Sequence, residues 1–312
     1  MKKQVRRTGD HGIGQMVHVV HMSDDAQRLR RFYEDVMGAY VYMGVDEPQY
    51  LPYEDRYATL LMIGDLCIET MAPRMPADPR LPVGRFYTKF GAHLHSVGYK
   101  VDDLGGLAEH LLARGVRIGK PGGGRIEQLA PDTHYFFPSP RDTAGLMVEL
   151  CRTDMPGDPR DQETWSSLER MWRPHPLAVE RFSCVTLGVR DLSVAVEKYV
   201  DLMQAVPVHT GMDRDLAAKY TTLQLGDSLL QLAEPVDPGS DLGRHVERFG
   251  NMIYSLRFKV TDLDSAENWL NKNVVRTTRI RGEAIVTDVE DTFGAPFFFS
   301  TEDIEGDPFA RA

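Results

Sequence analysis

The strongest constraint on the fold of this chain is that its sequence runs through one pattern twice. Each of four stretches has a counterpart later in the chain, in the same order: 30–39 with 196–205, 63–73 with 225–235, 97–111 with 256–270, and 141–150 with 290–299. The second pair shows the likeness, IGDLCIETMAP against LGDSLLQLAEP. The spacing between partners shrinks along the chain, so the pattern predicts a duplicated domain with shorter loops in the second copy.

Each copy also divides into two similar units. The stretch 17–44 begins as an alternating strand and continues as a helix with apolar positions at helical spacing, namely Leu29, Phe32, Tyr33 and Val36. The residues Ser23–Asp25 are favourable helix starters, and Gly38 is a suitable stop. The stretch 94–118 follows the same plan, and β-like segments come after each helix. The predicted unit is βαβββ, used four times, which places the chain in the α+β class.

The repeat also predicts where the domains begin and end. We expect a flexible N-terminus at 1–14, a first domain at 15–150, a linker at 151–180, a second domain at 181–303, and a loose tail at 304–312. The linker is rich in Pro, Asp and Arg, which is typical of connecting segments. A short helix is predicted within it, around 164–171.

Charge and cysteine content limit which kinds of molecule the protein is expected to bind and in which cellular compartment it is expected to lie. The net charge of −10 disfavours nucleic acid and anionic membranes, because both would be repelled. The three cysteines are scattered and form neither a disulfide framework nor a CxxC metal motif, which favours a reducing cytoplasm. We find no signal peptide and no apolar run of membrane-spanning length. The prediction is a soluble, cytoplasmic protein that binds a small molecule, with a homodimer left open.

Several of these stretches together resemble the vicinal oxygen chelate superfamily, which includes glyoxalase I, methylmalonyl-CoA epimerase, extradiol dioxygenases and bleomycin-resistance proteins. They are VHVVHMSDDAQRLRRFYEDVMG, GDLCIETMAP, VGYKVDDLGGLAEHLLARGVRIG and RDTAGLMVEL. The resemblance extends over residues 15–150 and 181–303. It implies two tandem glyoxalase-like domains, each with a curved mixed sheet around a cavity. It also implies one divalent metal ion, held by inward-facing residues on the first and last strand of each unit.

When the metal-ligand positions of the superfamily are transferred to this sequence, three of them fall on residues that can bind a metal. His18 falls on the ligand position of the first strand, Glu69 on the last strand of the first unit, and Glu149 on the last strand of the second unit. Imidazole and carboxylate ligands suit Zn, Fe, Mn, Ni or Co. A buried carboxylate such as Glu149 is costly without a positive partner, and a metal ion would supply one.

The fourth ligand position is the point at which this chain departs from the family. The pattern places a histidine where Ser96 stands, whereas His95 lies one residue earlier and His93 three residues earlier. In a regular strand both histidines would face away from Ser96. A β-bulge could turn His95 inward, because bulges occur beside active sites. We therefore expect either His95 as the fourth ligand or a site with three protein ligands.

The second copy keeps no histidine or carboxylate at the corresponding positions. They are occupied by Cys184, Gln231, Ser255 and Phe298. The sequence therefore predicts a metal site in the first domain only.

Residues beside these strands are candidates for contact with a substrate: Tyr99, His134, Phe136, Met147 and Arg141. The aromatic residues and Met147 fit a core role equally well. Arg141 could steer an anionic substrate or simply pair with its neighbour Asp142. The glycine-rich stretch 119–128 lacks the strand–helix context of a phosphate loop, and is interpreted as a flexible loop or a lid over the cavity.

The leading hypothesis is a metalloenzyme acting on a small oxygenated substrate. The ion would polarise a carbonyl and stabilise a developing enolate, while Glu149 or Glu69 moves a proton. This is isomerase, epimerase or lyase chemistry, and the stretch 84–103 particularly resembles methylmalonyl-CoA epimerases. One alternative is an extradiol-type or other iron-dependent dioxygenase. Another is a metal-free binding protein of the bleomycin-resistance type.

Overall fold

Each copy of the repeat forms one mixed β-sheet with helices packed against it. The computed structural model describes residues 6–154, 157–165, 167, 170, 174–281 and 283–310. The elements of the first half are β1 Ile13–Met22, α1 Ala26–Arg31, β2 Tyr40–Met43, β3 Gln49–Leu51, β4 Arg56–Ile63, β5 Leu66–Pro73, α2 Pro82–Phe90, β6 His93–Val101, α3 Leu104–Ala113, β7 Ile118–Gly119, β8 Arg125–Ile126, β9 Tyr135–Pro138 and β10 Val148–Arg152. A π-helical segment, Phe32–Val36, follows α1 directly, and a 3-10 turn lies at Pro159–Asp161.

The second half repeats this order. Its elements are β11 Val179–Gly188, α4 Leu192–Met203, β12 Val206–Asp213, β13 Ala218–Leu225, β14 Ser228–Pro235, α5 Asp241–Phe249, β15 Met252–Val260, α6 Leu263–Lys272, β16 Thr277–Ile280, β17 Ala284–Thr287 and β18 Phe297–Ser300. The first sheet runs β2-β4-β5-β1-β6-β10-β9-β7-β8, with β3 on β4, and the second runs β12-β13-β14-β11-β15-β18-β17-β16. The predicted α+β class with two tandem glyoxalase-like domains is confirmed.

The repeated Asp-containing turns begin the helices. Asp25, Asp103, Asp191 and Asp262 stand immediately before α1, α3, α4 and α6, and each side chain accepts a hydrogen bond from a backbone N–H of the first turn. Carboxylates at this position satisfy N–H groups that the helix itself leaves unpaired. The recurrence of these turns in the sequence therefore has a local cause.

A second repeated motif joins the two halves. The Gly-Asp turn between β4 and β5 places Asp65, whose carboxylate accepts a 2.7 Å hydrogen bond from the backbone N–H of Phe182 in β11. The equivalent turn between β13 and β14 places Asp227, which accepts a 2.8 Å bond from the N–H of Met16 in β1. Each half therefore caps a backbone donor in the central strand of the other.

These turns approach the opposite strand so closely that they require glycine. A Cβ on Gly226 would lie 1.8 Å from the carbonyl oxygen of Gly14, and its φ of +58° is one that side chains rarely adopt. The DTxG turns behave in the same way at the other end of the interface. Gly145 packs on Asn251, and Gly294 packs on the backbone of Ala92. Two of the repeated motifs are therefore interface motifs.

The segments that flank the domains are more ordered than the sequence predicted. In the described part of the N-terminus, Thr8 bridges to Ile13, and the carboxylate of Asp102 pairs with Arg7. At the C-terminus the fully buried Asp307 carboxylate pairs with Arg181 on β11. These contacts join parts of the segments expected to be flexible at 1–14 and loose at 304–312 to the two domains.

The linker also packs on the first sheet rather than hanging free. The guanidinium of Arg160 donates to the carbonyl oxygens of Met16 at 2.8 Å and Asp65 at 3.0 Å, while Trp165 packs with Met62 and Cys67. The helix predicted around 164–171 falls largely outside the described residues. Among the helices described, none has the length and hydropathy that a membrane-spanning segment needs.

The crossed Asp contacts make a testable prediction. Replacing Asp227 with Ala would leave the buried N–H of Met16 without this acceptor, so we expect the free energy of unfolding to fall by about 1–3 kcal/mol. Asp65→Ala should have a similar effect, because it removes the equivalent bond. Urea unfolding would measure both.

Two controls define that result. Asp227→Asn retains an acceptor oxygen and should lose much less stability, and Asp24→Ala removes an exposed carboxylate next to α1 without touching the interface. Equal losses for Asp227→Ala and Asp24→Ala would contradict a role for the crossed contacts.

Candidate functional site

A cavity of about 800 Å³ opens beside the sheet of the first half. Helix α2 forms one wall, and the β7–β8 turn and the β9–β10 loop form others. Phe249, Asn251 and Met252 of the second half also line it, so both copies of the repeat build this cavity. At its base lie Glu54 and His95.

The strand register brings His18 and Glu149 to the same face of the sheet. His18 on β1 is paired with Gly98 on β6, and Gly98 is paired in turn with Glu149 on β10. Directly paired residues project to the same side. Because Gly98 has no side chain, the two outer side chains can approach each other above it. His18 Nε2 lies 3.7 Å from the Glu149 Oε2 atom.

Glu69 reaches the other edge of the same imidazole. It is paired with Val20 on β1, two residues along from His18, and therefore projects to the same face. Its Oε2 atom lies 3.7 Å from His18 Nδ1. Both side chains are almost completely buried, with 7% of His18 and 8% of Glu69 exposed. His18 thus sits between two buried carboxylates.

An arginine that sequence reasoning overlooked belongs to this cluster. The guanidinium of Arg56 donates through Nη1 to Glu69 Oε1, and through Nε to Glu54 Oε2 at 2.5 Å. Arg56 stands at the start of β4 and is paired with Pro73, so its side chain must run along the sheet, past the small Ala58, to reach Glu69. Glu54, Arg56 and Glu69 therefore form a buried ion-pair chain.

His95 enters the cavity through a break in the strand register. Val20 is paired with Ser96, but the next residue His21 is paired with Leu94, which leaves His95 as one extra residue on β6. Such a bulge changes which way a side chain points. The His95 ring packs edge-on against Phe86 of α2 at 4.5 Å between centroids, and its Nδ1 lies 2.9 Å from Ser96 Oγ.

The pKa values of the two carboxylates near His18 are shifted in opposite directions. Burial raises the pKa of Glu149 above its ordinary value, although the nearby His18 and Arg56 oppose this. Burial would also raise the pKa of Glu69, but the adjacent Arg56 and His18 outweigh it and hold that pKa below its ordinary value. Burial, with Arg56 nearby, lowers the pKa of His95 to about 3. Glu69 is therefore a fixed anion, whereas Glu149 binds a proton more readily.

These residues can be compared with what a divalent metal requires. His18 Nε2 is buried and has no hydrogen-bond partner in the described part of the chain. It faces Glu149 at 3.7 Å, slightly more than the roughly 3.3 Å expected between two ligands of one tetrahedral ion. Three carboxylates, Glu54, Glu69 and Glu149, face the single guanidinium, so a divalent cation would also balance buried charge.

One ligand expected from the sequence is already engaged. Glu69 is bound by Arg56, and no group of three or more His, Cys, Asp or Glu side chains in the described residues is arranged to hold an ion as it stands. His18 and Glu149 therefore fit a divalent metal, and His95 is the histidine that lines the cavity, whereas Glu69 does not fit while Arg56 holds it.

The predicted substrate-binding residues divide into two groups. Met147 and Arg141 line the cavity. Tyr99 and Phe136 are fully buried in the main core instead, where Tyr99 Oη lies 2.8 Å from Ser228 Oγ across the interface between the halves. His134 is exposed on the turn before β9 and does not line the cavity. The last three are thus not brought to the cavity, because the register of β6 and β9 turns the two aromatic rings toward the core.

The glycine-rich stretch is an ordered turn rather than a free flap. Lys120 donates its backbone N–H to the Gly124 carbonyl oxygen at 3.1 Å, which closes the turn between β7 and β8. Gly122 has a φ of +71°, and a Cβ there would lie 2.9 Å from the carbonyl oxygen of Tyr53. The expectation of a flexible loop or lid is therefore corrected to a fixed wall of the cavity.

The second copy shows what this site becomes without its charges. The positions equivalent to Glu54, Arg56 and Glu149 carry Leu216, Ala218 and Phe298, which pack together in one apolar cluster. The position of Gly98 carries Arg257, which stacks on Phe298 and pairs with Asp213 at 2.6 Å. An arginine and apolar side chains therefore fill the space that the first copy leaves open.

Some of these residues had a sequence signal and others did not. Aligning the two copies shows that the position of Gly98 is occupied by Arg257 in the second copy, and the position of Arg56 by Ala218. The contacts of Arg56 depend on a long side chain that crosses two residue pairs, and the repeat gives no measure of that reach. The hydroxyl of Tyr135, 3.5 Å from that of Tyr53 near the same cluster, likewise carried no motif.

The space above Gly98 makes a second prediction. A Cβ there would lie 2.9 Å from His18 Nε2, so Gly98→Ala should displace the imidazole between its two carboxylates. We expect affinity for Zn²⁺ or Co²⁺ to fall by about tenfold or more, and stability to fall by about 1–3 kcal/mol. Calorimetric metal titration and urea unfolding would measure these effects.

Gly105→Ala is the matched control, because the nearest atom to a Cβ there is 3.9 Å away. It lies in α3 and should keep the metal affinity while gaining up to about 1 kcal/mol of stability. Unchanged metal affinity in Gly98→Ala would show that the imidazole of His18 is not where the ion binds.

Comparisons with known proteins agree with this architecture. Residues 15–150 match the model of the Glyoxalase/Bleomycin resistance protein/Dioxygenase superfamily. A triple mutant of 4-hydroxymandelate synthase from Streptomyces coelicolor has a similar fold, with a TM-score of 0.64 at 13% identity over 96% of this chain and 94% of that one. At this identity the likeness shows the fold alone.

Shorter structures match about two fifths of the chain. Methylmalonyl-CoA epimerase from Mycobacterium tuberculosis is 24% identical, with a TM-score of 0.36 over 39% of this chain and 87% of that one. A mutant epimerase from Streptomyces coelicolor, in complex with 2-nitronate-propionyl-CoA, is 20% identical, with a TM-score of 0.38 over 42% and 100%. No curated protein matches the sequence. Residues 15–150 are therefore similar in sequence to the Glyoxalase/Bleomycin resistance protein/Dioxygenase superfamily, and this match covers the first of the two copies.

Proposed function

We propose that this protein is a metal-dependent enzyme that acts on a small oxygenated substrate in the cavity of the first domain. The observation that carries the proposal is the buried His18, held between Glu149 and Glu69 at 3.7 Å each. A histidine between two buried carboxylates is costly as a purely structural feature, and the second copy of the same fold dispenses with all three. Arg56 links Glu69 to Glu54, and Glu54 lines the cavity, so the cluster lies next to a place where a ligand can bind, which supports a functional role.

The metal would be held by His18 and Glu149, with His95 as a third ligand. When bound, a divalent ion would polarise a carbonyl oxygen of the substrate. Arg56 keeps Glu69 beside this centre as a fixed anion. Phe86 packs against the His95 ring and keeps it on the cavity wall.

Glu149 is the residue best suited to move a proton. While no ion contacts it, burial raises the pKa of Glu149 toward the working range of a general acid or base, whereas the Arg56 ion pair opposes protonation of Glu69. The Glu149 carboxylate would take a proton from the carbon next to the substrate carbonyl and become the neutral acid. Returning it to the other face gives an epimer, and returning it to a neighbouring atom gives an isomer. Loss of a leaving group instead gives lyase chemistry.

One observation favours a second candidate, an iron-dependent dioxygenase. If Arg56 withholds Glu69, the remaining ligands are two histidines and one carboxylate, which is the set typical of non-haem iron(II) oxygenases. The two candidates predict different metals and different co-substrates. Oxygen consumption by the Fe²⁺-loaded protein would favour the dioxygenase, whereas exchange of a substrate C–H proton with solvent would favour the isomerase.

The deciding experiment is elemental analysis of protein purified without a chelator or metal-affinity tag. We expect about one equivalent of a transition metal, lost in both His18→Ala and Glu149→Ala, because each removes a ligand. Cys184→Ala is the matched control, since Cys184 is the second-copy equivalent of His18 and should leave the metal content unchanged.

A protein that takes up none of Zn, Fe, Mn, Ni or Co when each is added in turn would contradict the metalloenzyme proposal. The cavity would then belong to a metal-free binding protein.

The Arg56 ion pair makes a further prediction. Arg56→Met removes a cation from the site and frees Glu69, so we expect affinity for Co²⁺ to rise by about tenfold or more and to become sensitive to Glu69→Gln. Calorimetry and the visible absorption of Co²⁺ would measure affinity and ligand number.

Arg74→Met is the control, because Arg74 pairs with Asp55 at 2.6 Å and is 60% exposed. Circular dichroism would verify that the Arg56 variant is folded, and Arg56→Lys, which keeps the charge, should behave like the parent. An Arg56→Met protein that is folded and binds Co²⁺ no more tightly would show that Arg56 does not compete with the metal.

A further inference from the structure

The mouth of the cavity carries an excess of cations. Arg85, Lys89, Lys120 and Arg141 line it, and none of them has an ion-pair partner among the described residues. Among the described residues that line this cavity, Glu54 is the only carboxylate, and Arg56 already holds it. The charge of this opening is thus opposite in sign to the net charge of −10 of the whole chain.

The second copy of the repeat provides an internal comparison for helix α2. Its counterpart α5 carries Arg244 where α2 carries Arg85, and Arg244 pairs with Asp241 at the start of the same helix. Pro82 stands at that position in α2, so Arg85 has no such acid. The arginine of α5 is therefore neutralised within its own helix, whereas the equivalent arginine of α2 has no ion-pair partner among the described residues.

The cations on the loops around the cavity also lack the acidic partners found at the equivalent positions of the second copy. The equivalent of Lys120 is Arg279, which pairs with two acids of α6, at 2.5 and 2.6 Å. The equivalent of Arg141 is Glu290, a reversal of charge, and it pairs with Arg276 at 2.9 Å. Arg85 and Lys120 thus lack the acids that neutralise their equivalents in the second copy, and Arg141 stands where that copy has an acid.

We propose that this rim, formed by Arg85, Lys89, Lys120 and Arg141, binds an anionic group of the substrate, either a phosphate or a carboxylate. Separate loops and a helix bring these cations to the lining of one cavity, so an anion that enters it is attracted by all of them. The cavity volume of about 800 Å³ accommodates a small molecule whose anionic group is at the rim and whose oxygenated end is near His95. This last point alone rests on the proposed function.

The structure also explains how Lys120 is held at the rim. Its backbone closes the β7–β8 turn, and its side chain lies back over Gly124, where a Cβ would be 2.8 Å from the Lys120 Cε atom. The turn itself rests on the backbone of Tyr53.

The test is calorimetric titration of the full-length protein at low ionic strength with two probes, inorganic pyrophosphate and propane-1,2,3-tricarboxylate. The variant is Arg85→Glu combined with Arg141→Glu, the second of which reproduces the arrangement of the other copy. The matched control combines Arg31→Glu with Lys272→Glu, two exposed cations that do not line the cavity, so that both proteins undergo the same change in net charge. We expect the rim variant to bind the probe about tenfold or more weakly than the parent, and the control to bind it almost as well.

The two probes distinguish the source of the anion. Binding of pyrophosphate alone assigns a phosphate, binding of the tricarboxylate alone assigns a carboxylate, and binding of both supports the rim as a general anion site. No binding of either probe to the parent, or an equal loss in the rim variant and the control, would overturn the proposal.

Two variants distinguish an error in this proposal from an error in the proposed metal site. His18→Ala should lose the metal but keep the probe affinity, and the rim variant should keep the metal content.

Discussion

The structure depends on the crossed contacts between the Gly-Asp turns and the central strands. Asp65 caps Phe182 in the second half, and Asp227 caps Met16 in the first. Met16 lies two residues before His18 on β1, so the bond that joins the halves also fixes the strand that presents the site. The buried donors would otherwise be left without these partners, which makes the paired arrangement the stable one. The two copies are therefore needed to stabilise the fold, whether or not both of them carry a site.

The two copies differ in what occupies the space above the strand position of Gly98. The first keeps Gly98 without a side chain and surrounds the gap with His18, Glu149 and Glu69. The second fills the gap with Arg257 and covers it with Phe298. Burying charge is costly unless it is compensated, so the first copy retains both Arg56 and a place for a further cation. The second copy avoids most of that cost with apolar packing.

The second copy nevertheless takes part in the cavity. Phe249, Asn251 and Met252 line it from the opposite half, and the packing of Gly145 on Asn251 holds the β9–β10 loop against them. The cavity therefore exists only in the joined molecule. This explains why a half without metal-ligand residues has kept its interface motifs, and it assigns a shaping role to the copy that has no site of its own.

The sequence by itself determined the duplication and the four βαβββ units, because these follow from local periodicity and from the repeat. The choice of His18, Glu69 and Glu149 came from the resemblance to the superfamily. The tertiary structure alone decided which side chains share the site. Arg56 reaches Glu69 across two residue pairs, a single extra residue turns His95 inward, and strand register places Tyr99 and Phe136 in the core. A shift of one residue in pairing reverses the face of every side chain beyond it, and pairing is set by hydrogen bonds between distant strands. That information is absent from any local stretch of the chain.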